Sequence, residues 1–184
     1  KLQILTARPN KKEQKNIKHH LYGVIDLNKN YSTGQWLKST IKIIKDIRKR
    51  KKTPILVGGT GLYFQSLIDG LVKIPKIPEV IRDQIKWMQK KEGQKNFYKR
   101  LLKLDPKVKN KFDSNDIQRS IRAYEIKVYT KISMYDWLKK TKSEFNNNEF
   151  IKLYIDFKRE KLIQRISIRT TRMIVEGAIR EVKK

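Results

Sequence analysis

Apolar side chains recur along the first third of the chain with spacings that predict a helix, a buried strand and a second helix. From Ser32 or Thr33, apolar residues at helical spacing predict an amphipathic helix that ends in the basic run RKRKK. The continuously apolar run 54–57 is typical of a strand covered on both faces, and the next two glycines end it. A helix from Thr60 to about Asp69 follows, so the order of elements indicates a mainly parallel α/β sheet.

The pattern becomes helical throughout after the proline-containing linker VKIPKIP, and three apolar stripes predict a small helical module inserted into the α/β framework. FIKLYIDF (150–157) alternates like a strand that returns to the sheet, and LYGVIDL (21–27) predicts either a buried strand or an extended segment. A final amphipathic helix is expected from about Asp156. The predicted organisation is a partial α/β core at 1–74, a helical insertion domain at 75–149, and a truncated return to the core at 150–184.

Composition limits the possible partners and chemistry. The chain has 45 basic and 18 acidic side chains, a formal charge of +27, which favours polyanion binding unless it reflects compositional drift in a chain rich in Lys, Ile and Asn. Without cysteine, disulfides, thiolate metal sites and a cysteine nucleophile are excluded. No apolar run approaches membrane length and no signal peptide is visible, so a cytoplasmic protein without membrane association is expected. A first residue other than Met, and a last residue within a helical pattern, predict an internal piece of a longer protein.

The glycine loop that ends the predicted strand is the first candidate site. A strand that runs through Gly58, Gly59 and Thr60 into a helix presents free backbone N–H groups and a positive helix end, which suit a phosphate. No lysine follows, so the loop departs from G-x-x-x-x-G-K-[ST]. The alternative is a structural turn in which the glycines serve only tight packing.

Two basic helices form the second set of candidates. In NDIQRSIRAYEI (115–126), the apolar residues share one face while Gln118, Arg119 and Arg122 lie on others, where they suit either RNA or solvent. Arg165, Arg169, Arg172 and Arg180, with Glu176 between them, follow one side of the predicted last helix, which fits either phosphate binding or an exposed charged face. The only histidines, His19 and His20, have no cysteine or carboxylate cluster with which to form a metal site.

Six segments in this order, LTARPN, EQKNIKHHLYGVID, YSTGQW, PILVGGTGLYFQSLIDGL, NDIQRSIRAYEI and LIQRISIRTTRMIVEGAIREV, resemble the tRNA dimethylallyltransferases, also called isopentenyl-tRNA transferases. The resemblance implies a P-loop NTPase-like parallel-sheet core with an inserted helical tRNA-binding domain. It also implies transfer of a dimethylallyl group from dimethylallyl diphosphate to the exocyclic amine of the adenosine 3′ of the anticodon, in tRNAs that read codons beginning with U. Mg²⁺ as cofactor, the anticodon stem-loop as partner, a cytoplasmic location and a monomer are the further expectations.

The resemblance also implies roles for individual residues. Thr60 matches the threonine beside the target adenosine, where it helps to hold the transition state. The family's phosphate loop and general base have no counterpart in this chain, so the isolated piece is predicted to be inactive and to fold poorly. The residues expected to contact tRNA are Arg82, Gln118, Arg119, Ser120, Ile121 and Arg122, and those assigned to diphosphate or RNA phosphate are Gly58, Gly59, Arg165 and Arg169.

Two functions of other classes remain open from the residues alone. A non-catalytic RNA-binding module would use the basic helices but leave the GGTGLY turn without a role. A P-loop nucleotide kinase would use an α/β core for phosphoryl transfer but leave NDIQRSIRAYEI without a role.

Overall fold

The computed structural model describes residues 2–26 and 28–183. The chain divides into a discontinuous unit, which contains the residues up to Ser66 and those from Phe145 onward, and a helical unit, Leu67–Glu144. The α-helices of the described residues are α1 (Thr33–Lys49), α2 (Gly61–Ile68), α3 (Glu79–Leu104), α4 (Ile117–Thr130), α5 (Met134–Leu138), α6 (Arg159–Val175) and α7 (Ala178–Lys183). Short 3-10 turns lie at Pro106–Val108 and Asn147–Glu149.

Helix α1 begins where the sequence predicts it. The Ser32 hydroxyl accepts a hydrogen bond from the Gln35 backbone N–H at 3.2 Å, and the Gln35 side chain accepts one from the Ser32 N–H at 2.8 Å. This reciprocal capping box pairs two of the N–H groups that a helix start leaves free. Thr40 and Ile44 are buried on the inner face, whereas the basic C-terminal end is exposed.

The core of the helical unit lies between α3 and α4. Phe97 and Leu101 of α3 are fully buried, as is Ala123 of α4, and the rings of Phe97 and Tyr124 are 5.1 Å apart. Most members of the three predicted apolar stripes pack in or against this cluster, which confirms the helical periodicity of the region. Val80 and Ile117, the outermost members of two stripes, are exposed.

A kink in α3 places a polar side chain beneath the start of α4. Gly93 has φ +72° and ψ 158°, outside the helical region, a conformation that glycine adopts without the cost of a Cβ. The next residue, Gln94, donates from its amide to the Ser114 carbonyl at 2.6 Å and to the Ser120 hydroxyl at 3.0 Å. The loop before α4 is thereby fixed to α3.

The predicted strands are not formed among residues 2–26 and 28–183, none of which has strand structure. Residues 54–57 and 151–157 have no regular secondary structure, and most of their apolar side chains face solvent: Ile55 is 83% exposed, Ile151 92% and Tyr154 90%. A strand requires a neighbouring extended segment with which its backbone can form hydrogen bonds. No such pairing is present in the described part of the chain. Leu27 of the predicted strand 21–27 lies outside the described residues.

The prediction of a single basic helix at the end of the chain is also wrong, because the helix is interrupted. Helix α6 ends at Val175, Gly177 takes φ +100°, and α7 starts at Ala178. Arg165, Arg169 and Arg172 therefore belong to one helix and Arg180 to another, so they do not form one continuous stripe.

Glu181 fixes α7 to the first described residues within the discontinuous unit. Its carboxylate accepts backbone N–H hydrogen bonds from Gln3, Ile4 and Leu5, at 2.5 to 3.1 Å. Burial alone would raise the pKa of Glu181, but the three N–H donors outweigh it and the pKa lies below its ordinary value.

Candidate functional site

The glycine loop is open to solvent. A Cβ atom placed on Gly59 would meet nothing within 4 Å, and one on Gly58 would meet only the Phe64 ring at 3.8 Å. Neither glycine has a positive φ. Tight packing and backbone strain therefore do not account for the two glycines in this structure, whereas close approach of a ligand to bare backbone would.

Thr60 stands at the start of α2. Its carbonyl accepts the N–H groups of Tyr63 at 3.1 Å and Phe64 at 3.4 Å, which begins the helix. The residue itself is exposed, so its hydroxyl is accessible beside the free N–H groups of the first helical turn. The Trp36 ring stacks on Tyr63, with centroids 4.4 Å apart, and so fixes this turn against α1.

The start of α4 displays the predicted RNA-contacting residues. Asp116 caps the helix by accepting the Arg119 N–H at 2.9 Å, and its other oxygen lies 3.4 Å from the Arg119 guanidinium. Arg119 and Gln118 are exposed, which leaves both able to contact a ligand. Ser120 is fully buried and Ile121 packs against the core. Any role of these two residues in RNA binding would therefore be indirect, by holding the helix in place.

Arg82 of α3 and Arg122 of α4 meet at one carboxylate. Glu125 is 2% exposed, and its two oxygens lie 3.6 Å from Arg82 Nε and 3.2 Å from Arg122 Nη1. About 45% of each arginine side chain remains exposed. The helical unit thus presents two partly neutralised guanidinium groups close together, with donors free to bind an anion.

Arg165 and Arg169 are exposed on α6. The Arg165 guanidinium lies over the Phe157 ring, 4.2 Å from its centroid, which is a cation–π contact that holds the side chain without removing its charge. Arg172 is paired with Glu176 at 2.8 Å. Arg165 and Arg169, the two arginines of α6 assigned to phosphate, therefore make no ion pair with an acidic side chain in the described part of the chain.

A cleft that the sequence reasoning missed lies in the discontinuous unit. It has a volume of about 540 Å³ and is lined by, among others, Arg8, Lys11, His19, His20 and Tyr22. The guanidinium of Arg8 lies directly against the backbone of Gly23, where any Cβ would collide with it. The basic residues of LTARPNKK and the KHH run were visible in the sequence, but nothing local indicated that they face one another.

The described residues do not form a metal site by themselves. No group of three or more His, Asp or Glu side chains that could hold an ion occurs in residues 2–26 and 28–183. His19 Nδ1 is hydrogen-bonded to the Ile17 carbonyl at 2.7 Å.

The described residues include an exposed glycine loop at the start of a helix and exposed arginines on α3, α4 and α6, groups that suit phosphate. The family model described as IPP transferase matches residues 1–184, and the chain therefore belongs to the IPP transferase family. This confirms the resemblance on which the residue assignments depend.

Individual relatives agree with the family. The chain is 72% identical over its whole length to a tRNA dimethylallyltransferase of Pelagibacter ubique, of which it spans 59%, and 39% identical to one of Bartonella henselae, of which it spans 62%. The structure resembles that of a eukaryotic dimethylallyltransferase acting on tRNA, with a TM-score of 0.82 and 27% identity over 100% of this chain and 45% of the other. A tRNA isopentenylpyrophosphate transferase of Staphylococcus epidermidis gives a TM-score of 0.55 at 28% identity, over 99% of this chain and 59% of the other. The chain thus spans about 60% of the length of the curated relatives that it matches.

Among residues 2–26 and 28–183, no helix combines the length and apolarity needed to cross a membrane.

Proposed function

We propose that the full natural chain transfers a dimethylallyl group from dimethylallyl diphosphate to the exocyclic amine of the adenosine 3′ of the anticodon in tRNA. The observation that carries this proposal is the 72% identity, over the whole chain, to a protein named tRNA dimethylallyltransferase. The open glycine loop and the exposed arginines of the helical unit support it, because they supply anion-binding groups for a diphosphate and for RNA.

The transfer is an alkylation. The adenine amine forms a bond to the terminal allylic carbon, the bond from that carbon to the diphosphate oxygen breaks, and the amine loses a proton. Negative charge grows on the departing diphosphate, so N–H donors and cations aimed at its oxygens lower the barrier. In this chain the N–H groups around Gly58 and Gly59 suit the diphosphate, and the Thr60 hydroxyl suits the acceptor adenosine. Mg²⁺ remains an expectation drawn from the family.

The acceptor adenosine has to leave the RNA stack to reach the allylic carbon. We propose that the anticodon stem-loop is bound by exposed hydrogen-bond donors of the helical unit, namely Arg82, Gln118, Arg119 and Arg122. Arg165 and Arg169 are assigned to diphosphate or RNA phosphate. Arginine suits this role because its planar guanidinium matches two phosphate oxygens at once.

We also propose that residues 54–57 and 150–157 become strands of a parallel sheet in the full natural chain, as the P-loop-like core implied by the family requires. Their exposed apolar side chains support this, because such side chains gain from being covered on both faces of a sheet. Hydrogen exchange measures it directly: we expect the amides of 54–57 to exchange slowly in the full natural chain and quickly in residues 1–184 alone. Equal fast exchange in both would contradict the sheet.

Mass spectrometry tests the activity. Unmodified tRNA is incubated with dimethylallyl diphosphate and the full natural chain, digested to nucleosides, and examined for prenylated adenosine. The proposed function predicts that this nucleoside accumulates only with both substrates. RNA binding without product would favour the non-catalytic RNA-binding module, and thermal stabilisation by ATP but not by dimethylallyl diphosphate would favour the kinase.

A further inference from the structure

Glu125 is the most deeply buried charged group that contacts the proposed RNA-binding surface. Only 2% of the residue is exposed, yet its carboxylate lies between α3, through Arg82, and its own helix α4, through Arg122. A buried carboxylate is retained only where charge or hydrogen bonding compensates for the loss of water. Here the two arginines supply that compensation.

Each arginine uses only part of its donor set on Glu125. Arg122 donates from Nη1 at 3.2 Å, and Arg82 approaches with Nε at 3.6 Å. A guanidinium carries five N–H donors in a rigid fork, so most donors of both groups remain for another ligand on the exposed side. Because both nitrogens face oxygens of one carboxylate, the two guanidinium groups are confined to one small area.

We propose that Glu125 is a positioning residue for RNA binding: its buried carboxylate holds Arg82 and Arg122 together so that their free donors present one phosphate-binding patch. This inference rests on the proposed function, since the patch is useful only if the helical unit binds RNA. Glu125 itself does not reach the surface and does not contact the RNA.

Two opposing effects decide what loss of the carboxylate does. Replacing Glu125 by Gln removes one negative charge, which strengthens the attraction of the two arginines to phosphate. Because both arginine side chains are half-exposed, salt screens much of this gain. The same change releases two long side chains, each of which must then be ordered again on binding, and this loss is not screened. The net effect near physiological salt is therefore weaker binding, and the deficit grows as the salt concentration rises.

The test measures binding of an unmodified anticodon stem-loop RNA by the full natural chain. We expect Glu125→Gln to lower the affinity about fivefold, with no further loss when it is introduced into an Arg82→Ala, Arg122→Ala background. Glu92→Gln is the matched control, because Glu92 pairs with a different arginine, Arg100, at 2.7 Å in the same unit. Its effect on affinity, whatever its size, should be the same in both backgrounds.

Should Glu125→Gln prevent folding, Glu125→Asp keeps the charge but withdraws it from the arginines, and the same cancellation in the double-alanine background is expected. An equal loss in both backgrounds would show a merely structural role and overturn the proposal. Full RNA affinity of the double-alanine variant would also overturn it, while continued prenylation would leave the proposed function intact. Absence of both RNA binding and prenylation in the wild type would overturn the two together.

Discussion

The Trp36 ring lies nearly parallel to the Tyr63 ring, with centroids 4.4 Å apart and planes 14° from each other. Trp36 belongs to the first turn of α1 and Tyr63 to the first turn of α2, so the stack joins the starts of two helices. Thr60 lies three residues before Tyr63, and its carbonyl accepts the Tyr63 N–H. The position of the proposed catalytic threonine therefore depends on an aromatic contact made one turn later.

Tyr63→Ala should consequently loosen the start of α2. We expect a loss of about 2 kcal/mol in the free energy of unfolding, from the lost ring contacts and burial, and a lower turnover number because Thr60 is less well held. Tyr63→Phe keeps the ring and should preserve both properties. Urea unfolding and steady-state prenylation of the full natural chain measure them, and an unchanged turnover in a destabilised Tyr63→Ala protein would contradict the coupling.

Thr60→Ala should reduce turnover more than tRNA affinity. The hydroxyl is exposed at the helix start and is assigned to the acceptor adenosine, where a donor acts mainly as charge shifts in the transition state. A fall in kcat of about 10- to 100-fold is expected, with little change in the KM for tRNA. Thr60→Ser, which keeps the hydroxyl, should recover most of the rate. A raised KM at normal kcat would instead place Thr60 in ground-state binding.

Arg119→Ala should weaken tRNA binding and make it less dependent on salt. The Arg119 side chain is 66% exposed, and its only acidic neighbour within salt-bridge distance, among the described residues, is Asp116 at 3.4 Å. Loss of one phosphate contact should lower the slope of log K against log salt by about 1. Titrations at several salt concentrations measure this slope, and Arg119→Lys should keep it nearly intact. An unchanged affinity at every salt concentration would remove Arg119 from the interface.

The sequence predicted the helices well because their hydrogen bonds are local. Ser32 lies where the pattern predicts the start of α1, and its side chain accepts the backbone N–H three residues onward, as the Asp116 side chain does at the start of α4. Gly177 shows the limit of this reasoning: apolar and basic residues keep helical spacing across it, but its φ of +100° separates α6 from α7.

Strands and shared sites depend on contacts that are distant in sequence. Ile55 and Ile151 have the apolar pattern of strand residues, but whether a strand forms is decided by a pairing partner, which the pattern does not supply. For the same reason, the pattern does not predict the contact of Arg82 with Glu125, 43 positions apart, whereas Arg122 and Glu125 are three residues apart on one helix, a spacing that brings side chains together.

Asp136 should contribute stability that disappears in acid. The hydrogen bond from Lys107 Nζ, at 2.6 Å, holds the pKa of this carboxyl below its ordinary value. A depressed pKa in the folded state means that the stabilisation is fully present above the unfolded-state pKa and is lost as the pH falls through the folded-state value. The difference in unfolding free energy between wild type and Asp136→Asn should thus shrink as the pH is lowered from about 7 to about 2.

Chemical denaturation of the two proteins across this pH range measures the difference. In a Lys107→Met background the same Asp136→Asn substitution should show much less pH dependence, because the main cause of the lowered pKa is gone. If the pH dependence persisted there at full size, the contact with Lys107 would not be its source.

Gly70 should be the glycine of the helical unit that tolerates substitution least. Its φ is +93°, and a Cβ there would lie 2.3 Å from the Lys142 carbonyl oxygen and 2.8 Å from the Ser143 nitrogen. Nearby, the Ser143 hydroxyl donates to the Leu67 carbonyl at 3.2 Å, so a side chain of one end of the helical unit is bonded to the backbone of the other. Alanine would add steric overlap with main-chain atoms to the strain of a positive φ, and the two segments would have to separate.

We expect Gly70→Ala to cost about 3 kcal/mol or more in unfolding free energy. Gly93→Ala is the matched control: Gly93 also has a positive φ, +72°, but a Cβ there would meet nothing within 4 Å. It should cost less, about 1 to 3 kcal/mol, which is the strain alone of a backbone conformation that is essentially restricted to glycine. The difference between the two variants in urea unfolding isolates the close approach of the two ends, and equal losses would mean that residues 67–70 and 142–143 are not held together in solution.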